Sequence, residues 1–512
     1  MGCSHTDETI VNTTCGPVQG SIEDGVFVWK GIPYAKPPVG DLRWKAPERM
    51  TPWTAVRPAN TYGNICPQKG YGPQSIYEIP SQNMSEDCLY LNVWSPPNTT
   101  EKKPVFVWIH GGSLTREGGS SPQYLGKNLA KKDLVYVSFN YRLHAFGFLA
   151  HPELSKENEY GVSGNYGIMD QIKALEWIQD NIASFGGDPD NVTIAGESAG
   201  GWSVSLLVAT QKAKGLFHKA IAQSGTYLWP GPHLKVAYND YKSGESEGEA
   251  FMQQLNARSV EELRNTPADD IVNLFFSKKN TISSEPLVDG YLFDEDVYKT
   301  YDQLNHNKVD VMVGANADEW GLWIPDDLPK NPEAYKATLK QKYAERADLF
   351  LKAYPISDAT SIGKAYADFQ SDKSFHLHNR NWAKAMHKGG NKVYMYYFSK
   401  IPTERYPEEY GAFHGVEIAY ALNNLEHDPG TLGGSQPSQL DSLYADKVSD
   451  YWVNFVKTGD PNNTVLPLWP LWDTENQDYL HFDNNIQGGK FLLKERLDAL
   501  EDFLSADSKR LK

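Results

Sequence analysis

The stretch 191–210, NVTIAGESAGGWSVSLLVAT, decides how the rest of the chain is read. NVTIA reads as a strand and WSVSLLVAT as a helix. Between them lies Gly196-Glu197-Ser198-Ala199-Gly200, a G-x-S-x-G pattern. The two glycines allow a sharp strand-to-helix turn that packs against its neighbours and holds Ser198 Oγ above the sheet edge. A serine hydroxyl is a poor nucleophile until a base takes its proton, so Ser198 calls for a histidine and a carboxylate to orient it. The plainer alternative is a helix-capping serine in a glycine-rich turn.

A second segment fits the same chemistry. KPVFVWIHGG at 103–112 is a dense apolar strand that runs into His110-Gly111-Gly112-Ser113. Acyl transfer requires backbone N–H groups aimed at the oxyanion of a tetrahedral intermediate. A glycine-rich bend at a strand end turns successive amides inward, and Ala199 adds its own N–H from the helix start. A structural turn is the alternative reading of His110–Ser113.

The acid and the base are less visible. GANADEWG places Asp318 and Glu319 in a loop after the strand VDVMV, and YGAFHGVEIAY places His414 before an apolar run. The chain order is then serine, acid, histidine. The pattern leaves Asp318 and Glu319 equivalent, and His110, His144 and His151 stay open as alternatives to His414.

Around these points the chain alternates strands and helices. CLYLNVWSP at 88–96, DLVYVSFNYR at 133–142 and KVYMYYFS at 392–399 read as strands. Residues 164–187 have helical spacing, with Ile172, Leu175, Trp177, Ile178 and Ile182 on one face and Gly186-Gly187 at the end. Residues 441–462 form another helix, stopped by Gly459 and Pro461. This is the rhythm of an α/β protein with a large, mostly parallel central sheet. The 512 residues would allow three or four domains at about 150 each. No repeat, heptad series or long linker divides them. The economical reading is an N-terminal extension over 1–16 and a single domain over 17–512, with helical insertions near 230–285 and 325–390.

Composition narrows the class. With 14 Trp, 29 Tyr and 20 Phe the chain is too aromatic for disorder. A mean hydropathy of -0.54 and no long apolar run exclude a membrane span. The net charge of -16 and the lack of a basic block speak against nucleic acid. Cys3, Cys15, Cys66 and Cys88 are unlike a zinc cluster. Glycosylation sequons stand at Asn12, Asn83, Asn98, Asn191 and Asn462. Together with a Cys66–Cys88 bridge they favour a secreted, extracellular protein, read as a mature form. The alternatives are a cytoplasmic protein or a lipid-anchored one, since Met1-Gly2-Cys3 with Thr6 fits a myristoylation pattern with Cys3 open to palmitoylation.

Taken together, the segments GIPYAKPPVGDLRWKAP (31–47), SEDCLYLNVWSP (85–96), WIHGG (108–112), NYRLHAFGFL (140–149), 164–201, QSG (223–225), LVDG (287–290), FHGVEIAY (413–420) and WVNFVKTGDPN (452–462) resemble the type-B carboxylesterase/cholinesterase family of α/β-hydrolases. The likeness covers nearly the whole chain. It implies an α/β-hydrolase fold with insertions around an active-site gorge. It also implies hydrolysis of soluble carboxylic esters through an acyl-enzyme, with no metal or organic cofactor. Ser198 would be the nucleophile, His414 the base and then acid, and Glu319 the orienting carboxylate, since the family uses Glu there. The oxyanion donors would be the N–H groups of Gly112, Ser113 and Ala199. Glu197 and Ser224 would support the site from behind. Cys66 and Cys88 match the family's first disulfide, leaving Cys3 and Cys15 as a terminal pair.

Two departures bear on substrate. Ser113 stands where many members have a third glycine, and the following LTREGG is polar. Arg116 would then narrow or polarise the pocket toward polar or anionic esters, the alternative being that it points to solvent. Cholinesterases carry a tryptophan before the EDCLYLN segment; here the stretch reads SIYEIPSQNM, with Tyr77 and Glu78 but no Trp. Tyr77 and Trp229 join Arg116 as expected pocket residues. Three rival readings remain. A lipase would need an apolar lid between Cys66 and Cys88, where this chain is polar; a choline esterase would need the missing Trp; and a non-enzymatic adhesion member would lack part of the triad. Monomer and homodimer are equally open.

Overall fold

The structure, a computed structural model, describes residues 8–78, 80–97, 101–226, 228, 230–402, 406–427 and 437–508. Eleven strands form one sheet: β1 (Ser21–Glu23), β2 (Val26–Pro33), β3 (Tyr90–Ser95), β4 (Lys103–Ile109), β5 (Val135–Phe139), β6 (Gly187–Glu197), β7 (Lys219–Gln223), β8 (Asp310–Asn316), β9 (Val393–Phe398), β10 (Asp478–Phe482) and β11 (Ile486–Lys490). Their order is β1-β2-β3-β5-β4-β6-β7-β8-β9-β10-β11. From β5 through β10 neighbouring strands are parallel; β1, β2, β3 and β11 pair antiparallel. A small second sheet joins Ile10–Asn12, Pro17–Gln19 and Arg57–Pro58.

The strand interiors are apolar on both faces because helices cover both sides. Val105, Val107 and Ile109 of β4 enter one core, and Phe106 and Trp108 enter the other. Helix α1 (Tyr166–Asn181) and helix α2 (Ala199–Ala209) cover the first face with Ile172, Leu175, Val204 and Leu206. Helix α3 (Gln439–Thr458) covers the second with Val448, Trp452 and Phe455. Ser438 caps its start by accepting from the Asp441 N–H, and Gly459 ends it at φ 77°. Trp452 is fully buried and donates to Gln223 Oε1 at 2.9 Å, so truncating it to Ala would cost about 3–5 kcal/mol. A third apolar cluster, including Leu339, Phe350, Phe369, Leu497 and Phe503, joins the helices of 332–371 to the C-terminal helix Lys494–Ser508.

Strand order reverses at β4. The chain leaves β4 for β5 on one side and reaches β6 on the other by way of α1. Ligand crevices of open α/β sheets form at such a point, beyond the carboxyl ends of the strands. Here those ends are Ile109, leading into His110–Ser113, and Glu197, leading into Ser198.

The cysteines differ from expectation. Cys66 and Cys88 are buried thiols in contact, with no bond between them. The Cys66 contact and burial push the Cys88 thiol up, which keeps it protonated and slow to react. Cys15 is also free, its Sγ directed at the Met50 carbonyl at 3.7 Å. Cys3, the myristoylation pattern, Asn98 and Trp229 lie outside the described residues. Two sequons are poor acceptors. Asn191 donates to the Lys457 carbonyl and accepts from Lys219 Nζ. Asn462 closes a turn with Asp460 and both backbone groups of Trp469. Asn12 and Asn83 are exposed.

Candidate active site

Ser198 occupies the turn that its glycines require. Its backbone stands at φ 56°, ψ -124°, a region disfavoured for L-residues. A Cβ on Gly200 would lie 2.0 Å from the Ile109 carbonyl oxygen, and one on Gly196 would lie 2.6 Å from the same atom. A Cβ on Gly225, in QSG, would lie 2.1 Å from the Ser198 carbonyl oxygen. Ser198 N–H donates to Gln223 at 2.9 Å, tying the turn to the end of β7. Strain of this kind is held only where surrounding packing over-determines it.

The loops after β8 and before α3 bring the acid and the histidine together. Asp318 pairs with Phe413 in an isolated bridge, and its Oδ2 accepts from the Ala412 N–H at 2.9 Å. Asp318 thus staples one loop to the other. Glu319 is fully buried and meets His414 Nδ1 at 2.5 Å. It also accepts from Ser224 Oγ and from the Asn316 N–H, both at 2.6 Å. Geometry therefore separates the two adjacent acids: Glu319 faces the histidine, and Asp318 faces backbone. The other ring of candidates is structural. His110 stacks on Tyr141, His144 Nε2 lies 2.6 Å from the Pro67 carbonyl, and His151 caps the helix Pro152–Glu157. Burial holds His110 and His144 down at about 4, hence neutral.

The site is crowded with carboxyl groups. Glu197 Oε1 lies 3.2 Å from His414 Nε2. Glu417 is buried behind Asn316 and Gln223, both of which donate to it. Burial disfavours a charged His414, but the fields of Glu197 and then Glu319 outweigh it and raise its pKa to about 9. Burial and the Glu319 charge raise Glu417 to about 7. Burial pushes Glu197 well above the carboxylate range, against the pull of His414. Such groups mark sites of proton chemistry.

Ser198, His414, Glu197, Gly112 and Ser113 all line one cavity of about 570 Å³. Gly112 and Ser113 take left-handed φ of 85° and 58°, which turns this strand end sharply. Ala199 is the first residue of α2, so its N–H has no carbonyl partner inside the helix. The other walls are aromatic. Tyr77 donates to the His414 carbonyl at 3.0 Å and stacks on Trp323, and Phe375 lies 4.8 Å from the His414 ring. Arg116 lines the cavity with its guanidinium over Tyr71 and Phe276 and its Nε on the Lys69 carbonyl at 3.0 Å. Tyr71, Trp323, Phe375, Glu117 and Glu417 escaped the sequence reading. For Glu417 a signal existed, a carboxylate inside the apolar run VEIAY; Phe375 sits on a π-helical turn, Asp372–His376, that no periodicity announces.

This sheet order, with a strained serine turn at its switch point facing a histidine–carboxylate pair, is that of an α/β-hydrolase. A family model for the carboxylesterase family matches residues 7–500. The chain is 35% identical over 490 residues to para-nitrobenzyl esterase of Bacillus subtilis, covering 93% of this chain and 95% of that one. It is 34% identical over 497 residues to fumonisin B1 esterase of Sphingopyxis macrogoltabida, covering 94% and 87%. Among solved structures, a carboxylesterase of Geobacillus stearothermophilus superposes with a TM-score of 0.82 at 31% identity, over 96% of this chain and 99% of the other. The chain belongs to the carboxylesterase family and is a serine carboxylic-ester hydrolase.

Proposed function

We propose that the chain hydrolyses small carboxylic esters through Ser198, His414 and Glu319. The observation that carries this is the contact of Glu319 with His414 Nδ1 at 2.5 Å, in the cavity that Ser198 also lines. Glu319 holds the ring so that Nδ1–H points at the carboxylate and leaves Nε2 as the base. In the resting site Glu197 Oε1 stands 3.2 Å from Nε2 and acts on the ring through its field. On substrate binding Nε2 turns to Ser198, takes the hydroxyl proton as Oγ attacks the carbonyl carbon, and returns it to the leaving alcohol. Water then attacks the acyl-enzyme by the same route, releasing the acid and restoring Ser198. The N–H groups of Gly112, Ser113 and Ala199 stabilise the oxyanion in both steps, each contributing about 2.7–4 kcal/mol. Ser224 steadies Glu319 from behind.

The aromatic walls suit an ester with an apolar or aromatic portion. Arg116 brings a cationic element to one wall, though its charge already meets two aromatic faces and a carbonyl. Removing the nucleophile tests the reading. Ser198→Ala should lower kcat on a chromogenic ester by about 10⁴-fold or more while leaving the melting temperature near that of the parent. Comparable turnover in the two proteins would reject Ser198 as nucleophile.

A further inference from the structure

The mechanism leaves one buried carboxyl group of the cavity unused. Glu117 is 4% exposed and lines the cavity that contains Ser198. It stands at φ 79°, a left-handed conformation natural to glycine and costly for glutamate. The fold holds it there by a two-sided clamp. Gln68 Oε1 accepts from the Glu117 N–H at 2.6 Å, and Gln68 Nε2 donates to the Glu117 carbonyl at 2.9 Å. Gln68 is itself buried. The side chain packs against Gly112, where a Cβ would lie only 2.8 Å from Glu117 Cγ. Ser121 Oγ donates to Oε2 at 2.9 Å and fixes the carboxyl group.

A carboxylate beside an oxyanion-donor glycine is unfavourable for an ordinary neutral ester, because it opposes the negative charge that develops there. It becomes favourable when the substrate carries a positive charge to meet it. The surroundings suit that charge. Tyr71 and Tyr124 line the same cavity, and the field of Glu117 acts on both. The Tyr71 ring already faces Arg116, so an incoming cation is met by the buried carboxylate with Tyr124 beside it. The other charged groups lining the cavity, among the described residues, are Arg116, already stacked on two rings, and the Glu197–His414 pair, whose two members face each other at 3.2 Å.

We propose that Glu117, with Tyr124, forms an ammonium-binding subsite beside the oxyanion hole, so that amine-bearing esters are preferred substrates. This rests on the esterase reading given above. A protonated amine near the scissile carbonyl donates to the Glu117 carboxylate, cancels its charge next to Gly112, and thereby favours the transition state as well as binding. Burial, against the hydrogen bond from Ser121, raises the Glu117 carboxyl to about 7, with Glu78 adding to the shift and Arg116 opposing it. The subsite is then ionised just above neutrality, where alkyl amines are still largely protonated.

The test compares two esters of the same shape. One is 2-(dimethylamino)ethyl butanoate, and the other is its uncharged isostere 3-methylbutyl butanoate. Hydrolysis is followed by proton release just above neutral pH. In the parent enzyme kcat/KM should favour the amine ester by about tenfold or more. In Glu117→Gln the ratio should collapse toward one. Glu117→Gly, which suits the left-handed backbone without strain, should do the same and serves if the glutamine variant folds poorly. A ratio near one in the parent, or an unchanged ratio in both variants, would overturn the subsite while Ser198-dependent hydrolysis of the neutral ester leaves the esterase reading standing. If neither ester is turned over by the parent, both readings fall.

Discussion

Two buried charge clusters in this molecule are built in opposite ways. Arg142 and Asp170, at the start of the segment after β5 and inside α1, are almost wholly excluded from water, at 3% and 0% exposure. Arg142 Nε and Nη2 reach the two oxygens of Asp170 at 2.8 and 2.7 Å, its backbone N–H adds a third bond at 3.0 Å, and Nη1 is taken by the Lys45 carbonyl. One positive charge meets one negative charge with its donors satisfied. Around His414 the match is absent: Glu197, Glu319 and Glu417 share one imidazole. A matched pair holds structure. An unmatched cluster shifts proton affinities and is the part that can exchange a proton with a substrate.

The comparison can be broken at its catalytic end first. Glu319→Gln keeps the shape of the acid but reverses the preferred tautomer of His414, so kcat should fall by about 10⁴-fold with little change in melting temperature. Activity within tenfold of the parent would mean that another carboxylate orients the ring. At the structural end, Asp170→Asn leaves Arg142 buried without its counter-charge. Unfolding in urea should show a loss of about 3–5 kcal/mol, whereas the kcat of the fraction that stays folded should change little. An unaffected urea midpoint would remove the contrast.

The smallest effect sharpens the unmatched side. A histidine raised to about 9 is mostly charged at neutral pH, where only its minor neutral fraction acts as base, so kcat/KM should climb as pH rises through that value. Glu197 is the leading source of that rise, and Glu197→Gln should move the midpoint of the pH profile downward. The same sign applies to stability: the His414 contribution is complete below the ordinary value of 6.5 and is lost as pH rises toward 9. A pH–rate profile whose midpoint stays put in Glu197→Gln would show that the Glu197 field is not what holds the proton.

Much of the site was legible because its parts sit on local patterns. The Ser198 turn and the His110–Ser113 bend each need glycines within a few residues, and such needs are written along the chain. The long strands β4, β5 and β9 were legible as dense apolar runs. β7, with the sequence KAIAQ, and the edge pair β10 and β11 were not, since short strands with small or polar residues owe their form to the neighbours they pair with. The Asp318 and Glu319 choice needed a family likeness, because adjacent acids look alike until a distant loop arrives. The expected Cys66–Cys88 bridge shows the reverse case: the family likeness pointed to a bond, and the thiols lie together unbonded.

By itself, the sequence determined the Ser198 turn, the His110–Ser113 bend and the alternation of strands and helices, since each follows from backbone freedom or burial within a short window. Tertiary structure set what no local pattern carries. It chose Glu319 by placing His414 against it across 95 positions of chain. It set the reversal of strand order that opens the crevice. It lined that crevice with Phe375, Trp323 and Glu117, which no local rule connects. Proton affinity and pocket shape depend on which groups meet through space, and sequence neighbours do not carry that information.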